Sequence, residues 1–261
     1  MTWNPQKLAA LKLHRPIYFS SSATGKHATP AELRQLFVRC QAAAKPLVVL
    51  HILRCMLQGE LDGLAGPESR KAVVFCSSVD TAHRLTRLLQ IICSRRSKAA
   101  ESDEEAKSDH HGEDGDGAPE EEEDPAHGKD GDVAQAGHVA EGVLGFGLEA
   151  AHVAEFSSNL TQRHRNILLR RFRKAHVKCL VCSDVAARGI DIPEVSVVIN
   201  YSKPPHIQNY IHRVGRTARA GRAGYTFTLV EFNQVRQFMT MLQESADCSA
   251  RLQKHEVPAE A

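Results

Sequence analysis

Two kinds of hydrophobic pattern take turns along the chain. Short runs such as "AVVF" (72–75), "CLVC" (179–182) and "VSVVIN" (195–200) are apolar at successive positions, the mark of strands covered on both faces. "LRQLFVRC" (33–40), "HVAEFSS" (152–158) and "YTFTLVE" (225–231) complete the strand-like set. Between them the apolar residues recur with helical spacing: "KPLVVLHILRCMLQ" (45–58), "VDTAHRLTRLLQIIC" (79–93), "QRHRNILLRRFRKA" (162–175), "HIQNYIHRVGRTAR" (206–219) and "NQVRQFMTMLQES" (233–245). Strand and helix alternate throughout, which predicts a doubly wound, mainly parallel α/β sheet.

The pattern fails in three places. Residues 1–30 have no clear period and contain Pro5, Pro16 and Pro30; they read as an approach segment with a loose helix around Gln6 to Leu11. Residues 94–147 have few apolar positions, abundant glycine and like charges, so they cannot bury enough surface to offset the entropy of ordering and are expected to be a disordered insertion. Such an insertion is tolerated in a surface loop because closure entropy grows slowly with length. It interrupts one domain, 31–248, rather than separating two. Residues 249–261 are expected to be a peripheral tail.

Charge changes this picture more than composition does. The formal net charge is only +2 over 261 residues, and the 42% hydrophobic content suits a globular core. From Glu101 to Asp132, however, there are 15 acidic and 2 basic residues, which leaves the remaining 229 at a net +15. A basic body suits a polyanion such as nucleic acid, although a basic soluble surface gives the same arithmetic. The acidic run reads either as a solvated loop or as an element that mimics RNA on the basic body or docks on basic proteins. Seven cysteines without regular spacing suit free thiols in an intracellular protein, and no stretch approaches eighteen apolar residues, so no membrane span is expected.

Two clusters carry candidate chemistry. In the helix from His206, Ile207, Ile211 and Val214 recur at i, i+4 and i+7 and form one apolar stripe, while His212, Arg216 and Arg219 repeat that spacing on the opposite side. Two arginines and a histidine facing away from a sheet suit a phosphate chain, and helical geometry alone equally allows a solvated cationic face. In "CLVCSDVAARGIDIP" (179–193) an apolar strand ends at Cys182 and a loop follows with Ser183, Asp184, Arg188, Gly189 and Asp191. Ligands gather at the carboxyl ends of strands in such sheets. Gly189 lets the backbone approach closely, Arg188 offers a cation and Asp191 a carboxylate for a sugar hydroxyl; a loop salt bridge is the plainer reading.

Together the clusters resemble a family. "SDVAARGID" and "HRVGRTAR" look like motifs V and VI of the DEAD-box RNA helicases, with "VVFCSS" (73–78) similar to motif IV and "QRHR" (162–165) to the QxxR element, in the family's order over about residues 33–245. The resemblance implies the second RecA-like domain of an ATP-dependent RNA helicase. Arg216 and Arg219 would then reach the phosphates of ATP, Arg219 as an arginine finger, with Gly189 and Asp191 at the nucleotide and His212 coupling the site to the first RecA-like domain. RNA contacts would fall on Ser183, Arg188, Arg165, Gln162, Ser77 and Ser158, to phosphate and sugar rather than to bases. The Mg²⁺ ligands would belong to the first domain. "FSS", "TAHRL" and "GRTARAG" are similar to the nucleolar branch that acts on large-subunit ribosomal RNA precursors, which implies a nucleolar location and preribosomal protein partners. A noncatalytic RNA-binding or scaffolding module is the alternative.

The sequence departs from the family pattern at Ser183 (usually threonine), at Ala218 (usually glycine, a mild change), at Ser157 and Ser158 (usually "HG") and around His176. No phosphate-binding loop of the form G-x-x-x-x-G-K-[ST] occurs. "SSSATGKHAT" (20–29) comes nearest, but Ser20 replaces the first glycine and His27 the magnesium-binding hydroxyl. Ser22, Ala23 and Thr24 spell a motif III that lies on the wrong side of the linker-like "TWNPQKLAALKLHRP", so the genuine one is expected before Met1. Cys179 and Cys182 spell C-x-x-C, but three positions apart on a strand they face opposite ways and read as core. His110 and His111 follow the composition of the acidic run.

Overall fold

The computed structural model describes residues 29–64, 66–108, 148–187, 195–219 and 221–257. Among these residues seven strands form one sheet: β1 (Leu33–Arg39), β2 (Ala72–Cys76), β3 (Val153–Phe156), β4 (Cys179–Ser183), β5 (Val197–Asn200), β6 (Gly224–Val230) and β7 (Leu252–Lys254), in the order β3-β4-β2-β5-β6-β1-β7. Every pairing is parallel. The apolar runs of β2, β4, β5 and β6 are buried at every position, as strands sandwiched between helix layers must be.

The strand period divides each run between two cores. Ala72, Val74, Cys76, Cys179 and Val181 face one layer, made by α1 (Lys45–Gln58) and α2 (Val79–Ser108). Val73, Phe75, Leu180 and Cys182 face the other, made by α3 (Gln162–Arg173) and α4 (Asp184–Ala187) and continued by α5 (Ile207–Val214) and α6 (Val235–Gln243) under β1 and β6. The doubly wound parallel sheet expected from the sequence is therefore the fold. Cys179 and Cys182 fall in different cores, are free thiols and are fully buried. Burial pushes the neighbouring Cys76 thiol up to about 12, and both C-x-x-C thiols higher still, so none ionises at neutral pH.

Local signals set the helix ends. α1 has proline at its first turn and ends on Gly59 at φ 80°, where an added Cβ would lie 2.6 Å from the Arg70 guanidinium. Its buried residues Val48, Val49, Ile52, Leu53 and Met56 form one stripe, and each is worth about 1.5–3 kcal/mol of burial. α2 begins where the Ser78 hydroxyl accepts the Thr81 N–H at 3.1 Å, and α3 where the Thr161 hydroxyl accepts that of His164 at 3.4 Å.

Two boundaries differ from the sequence reading. The α2 backbone is helical to Ser108, so residues 94–108 continue a helix instead of starting the insertion; the good helix formers of "RRSKAAESDEEAKS" propagate a helix already nucleated on the core. The rest of the acidic run, 109–147, lies outside the described residues, as do the approach segment 1–28 and its loose helix. The stretch expected to be a tail instead supplies β7, which pairs with β1 through Gln35–Phe37, and the His255 N–H donates to the Phe37 carbonyl at 2.9 Å. Arg251 fastens this edge, donating to the carbonyls of Pro30, Ala31 and Leu33. A three-residue edge strand with one apolar residue, Leu252, leaves too little pattern to read. Among the described residues no helix is long and apolar enough to cross a membrane.

Candidate nucleotide and RNA site

One arginine that sequence reasoning passed over organises the site. Arg213 is on the last turn of α5, and its side chain is 2% exposed. Its Nε and Nη2 donate to the two carboxylate oxygens of Asp184 at 2.7 and 2.8 Å, while Nη1 donates to Asn200 Oδ1 at 3.1 Å and to the Ser202 carbonyl at 2.9 Å. The guanidinium also lies 5.3 Å from the centre of the Phe75 ring. A forked bidentate pair of this kind fixes both distance and angle. Arg213 therefore ties the start of the motif V-like segment, at Asp184, to the motif VI-like helix, and both to the carboxyl ends of β2 and β5. A signal existed: Arg213 falls beside Tyr210 and Val214 on the buried side of α5, where an arginine requires a buried acid.

Of the RNA candidates, Ser77 and Ser183 adjoin that hub, through Ser202 and Asp184. Ser77 is exposed just after β2, and its N–H donates to the Ser202 hydroxyl at 3.1 Å. Ser183 ends β4 and is 3% exposed; its hydroxyl accepts the Ala186 N–H at 3.4 Å, so it caps α4 locally. Arg165 lies over the Phe156 ring at 5.0 Å and donates from Nη2 to the Ala186 carbonyl at 2.8 Å, holding α3 to α4. Gln162 is exposed at the start of α3 and bonds Asn166 Oδ1 at 3.1 Å; Ser158 is exposed in the turn after β3. Arg188, Gly189 and Asp191 lie outside the described residues.

The arginines do not share a helix face with His212, as the spacing predicted. α5 stops at Val214, His212 is exposed on it, and Arg216 and Arg219 lie in the turn beyond. Gly215 caps the helix, and successive tight bonds, Arg216 N–H to Arg213 and Thr217 N–H to Val214, both 3.1 Å, wind the chain out of α-geometry. The Arg216 carbonyl accepts the Val195 N–H at 3.2 Å, and the Thr217 hydroxyl donates to the Ser196 carbonyl at 3.1 Å, so the turn is fastened to the start of β5. Arg219 is exposed, its Nε donating to the Gly215 carbonyl at 2.6 Å. From His206 to Val230 the sequence contains no carboxylate, which suits an anion. Among the described residues no three His, Cys, Asp or Glu side chains converge to hold a metal ion.

Ala218 occupies a position whose backbone favours glycine. It is buried at φ 56°, the left-handed region, and Gly224 at the start of β6 packs so closely on it that an added Cβ would lie 2.5 Å from the Ala218 nitrogen. The left-handed backbone costs alanine about 1–2 kcal/mol, against about 0.8 kcal/mol for its buried methyl and roughly 0.5–1 kcal/mol for the greater chain entropy that glycine loses on folding. Ala218→Gly is therefore expected to leave the urea unfolding midpoint nearly unchanged. Ala218→Val, with a branched carbon at positive φ, should cost more than about 2 kcal/mol. A valine variant as stable as the parent would show that the turn relaxes out of this conformation.

Comparison with known proteins agrees with the geometry. The helicase conserved C-terminal domain family matches residues 137–221. The probable ATP-dependent RNA helicase ddx51 of Dictyostelium discoideum is 32% identical over 248 residues, covering 94% of this chain and 34% of that protein. Human ATP-dependent RNA helicase DDX51 is 30% identical over 270 residues, covering 98% and 30%. The chain thus spans about a third of the length of these relatives. The E. coli DEAD-box protein SrmB, solved bound to regulator of ribonuclease activity A, shares the fold at a TM-score of 0.51 and 22% identity, over 87% of this chain and 91% of that one. The family match and these relatives identify the chain as carrying a helicase conserved C-terminal domain, similar to that of DEAD-box ATP-dependent RNA helicases, and the sheet order agrees with that fold.

Proposed function

We propose that the chain is the C-terminal half of an ATP-dependent RNA helicase, that it supplies backbone contacts to RNA and an arginine finger to ATP hydrolysis, and that it is inactive without a first RecA-like domain. The observation that carries this reading is the Arg213–Asp184 junction. It joins the segment that opens at Ser183, a proposed RNA contact, to the turn that bears Arg216 and Arg219, so that movement at one cluster is felt at the other. The relatives' names as ATP-dependent RNA helicases support it.

The carboxylate-free turn fits a triphosphate, with Arg216 and Arg219 three residues apart as its cationic ligands. ATP with Mg²⁺, when bound, would supply the phosphoryl group that is transferred to water. This chain's part is to hold charge: guanidinium groups placed where negative charge develops stabilise the transition state without reorganising. Ser77, Ser158, Gln162, Arg165, Ser183 and Arg188 would bind phosphate and sugar, and Asp191 with Gly189 the ribose side of the nucleotide. The signatures "FSS", "TAHRL" and "GRTARAG" favour ribosomal RNA precursors as substrate, hence preribosomal protein partners and the nucleolus.

The test is RNA-stimulated ATP hydrolysis by the chain alone and by the chain fused behind a first RecA-like domain of the family. Activity is expected only in the fusion. Hydrolysis by the chain alone would overturn the reading, and a fusion that binds RNA and ATP yet never turns over would point to the noncatalytic module.

A further inference from the structure

The end of α3 carries positive charge that the described residues leave without a counter-ion. Between Phe156 and Ser183 the sequence holds seven lysines and arginines and no aspartate or glutamate. Arg165 is engaged with Ala186 and Phe156. Arg170, Arg171, Arg173 and Lys174, four of five successive residues, are all exposed, and among the described residues none makes a side-chain hydrogen bond or ion pair. Arg170 and Arg173 stand three apart, as do Arg171 and Lys174, so like charges are neighbours on the helix surface, a destabilising arrangement. The helix dipole favours cations at this end by about 0.3–1 kcal/mol each, which suits one or two rather than a crowd of four.

The course of the chain supplies the anion. Just past the cluster, the Lys178 N–H donates to the His152 carbonyl at 2.9 Å, and the Lys178 carbonyl accepts the Ala72 N–H at 2.8 Å. His152 lies in the short stretch, from Leu148, by which the chain returns to β3 from residues 109–147. Of these, residues 109–132 hold eleven acidic side chains against one lysine. The chain that follows the acidic run therefore returns to the fold next to Lys178, four residues past Lys174. The residues between Asp124 and Leu148 give it a contour of up to about 80 Å, ample for reaching the last turn of α3.

We propose that Arg170, Arg171, Arg173 and Lys174 form a binding surface for a polycarboxylate chain, and that its occupant is residues 109–132 of the same molecule. Tethering this close makes the local concentration of carboxylate millimolar or higher, and each pair formed relieves repulsion on α3. Because a phosphate backbone would seek the same cations, the acidic run lowers the affinity of this side of the domain for nucleic acid.

Carbodiimide coupling tests the contact directly, since it condenses a lysine amine with a touching carboxylate, water leaving as the carbodiimide becomes its urea. Lys174 and Lys178 should couple within the monomer to carboxylates of 109–132, and the yield should fall at 1 M salt, where the Debye length is about 3 Å against about 10 Å at 0.1 M, and in R170Q/R171Q/R173Q. The Lys45–Glu231 pair, at 2.8 Å, is the internal control. Control coupling without any coupling from Lys174 or Lys178 to the acidic run would overturn the proposal, and this readout needs no RNA, so it stands apart from the helicase reading.

Binding of a single-stranded uridine oligonucleotide across a salt series gives the second arm. A variant of unchanged length, its eleven acids replaced by Gln and Asn, should bind at least tenfold tighter at low salt. Its salt slope should be steeper by about 3, four cations at about 0.7 each. The gain should vanish when R170Q/R171Q/R173Q/K174Q is added. If neutralising the acids changes nothing while neutralising the cations weakens the unaltered chain, RNA itself holds this surface and the proposal fails. An equal gain in both backgrounds sinks it too.

Discussion

Arg219→Ala, made in a protein that joins this chain to a first RecA-like domain, should lower RNA-stimulated kcat by about 10³-fold or more and change the KM for ATP far less. The expectation follows from position. Arg219 is exposed on the turn beyond α5, and its Nε bond to the Gly215 carbonyl at 2.6 Å sets the stem of the guanidinium against the helix end. Such a residue adds little to stability, so the urea midpoint should move by the equivalent of about 0.5 kcal/mol or less. Arg219→Lys would keep the charge and lose the planar fork, and should recover only part of the rate. Steady-state hydrolysis at saturating RNA checks all three. A loss in kcat below tenfold for the alanine variant would remove Arg219 from the transition state and leave Arg216 as the finger.

The layers of the fold could be read in advance because burial on both faces leaves an unbroken apolar record, as in "AVVF" and "CLVC", and because helical stripes such as Val48, Val49, Ile52, Leu53 and Met56 need a core to face. The end of α5 could not. Helical spacing carried past Val214 set His212, Arg216 and Arg219 on one face, whereas Gly215 and the left-handed Ala218 turn the arginines out of the helix. A motif written as residues at fixed offsets does not say where the helix carrying them stops. β7 was missed for the opposite reason: parallel pairing with β1 and the Arg251 bonds stabilise it, and neither leaves a hydrophobic period.

The polar hub was the costliest omission at the site. Motif reading looks for groups that touch ligand, and Arg213 touches only protein: Asp184, Asn200, the Ser202 carbonyl and the Phe75 ring. Its work is to hold in register the segment that opens at Ser183 and the turn that carries Arg216 and Arg219, and that role follows from burial and charge rather than from spacing.

Asp184→Asn should therefore lower the folding stability of this chain by about 3 kcal/mol, since removing one partner of a buried ion pair typically costs about 3–5 kcal/mol and the Asp184 side chain, at 23% exposure, keeps some access to water. The amide keeps the shape, accepts one bond and presents its NH₂ to a guanidinium that can only donate, so Arg213, at 2% exposure, is left charged without a counter-ion. In urea, with a slope of about 2–3 kcal/mol per molar, the midpoint should fall by about 1–1.5 M at an unchanged slope. Arg213→Met should cost a similar amount by stranding the carboxylate and the Asn200 oxygen. The double variant Asp184→Leu/Arg213→Met should cost much less than the sum of the two losses, because a buried pair replaced as a unit no longer leaves a lone charge. Additive losses would mean that the two side chains act separately and that the junction does not couple the two motifs. In the joined enzyme the same double variant separates folding from coupling: it should still bind RNA, and RNA should no longer stimulate hydrolysis.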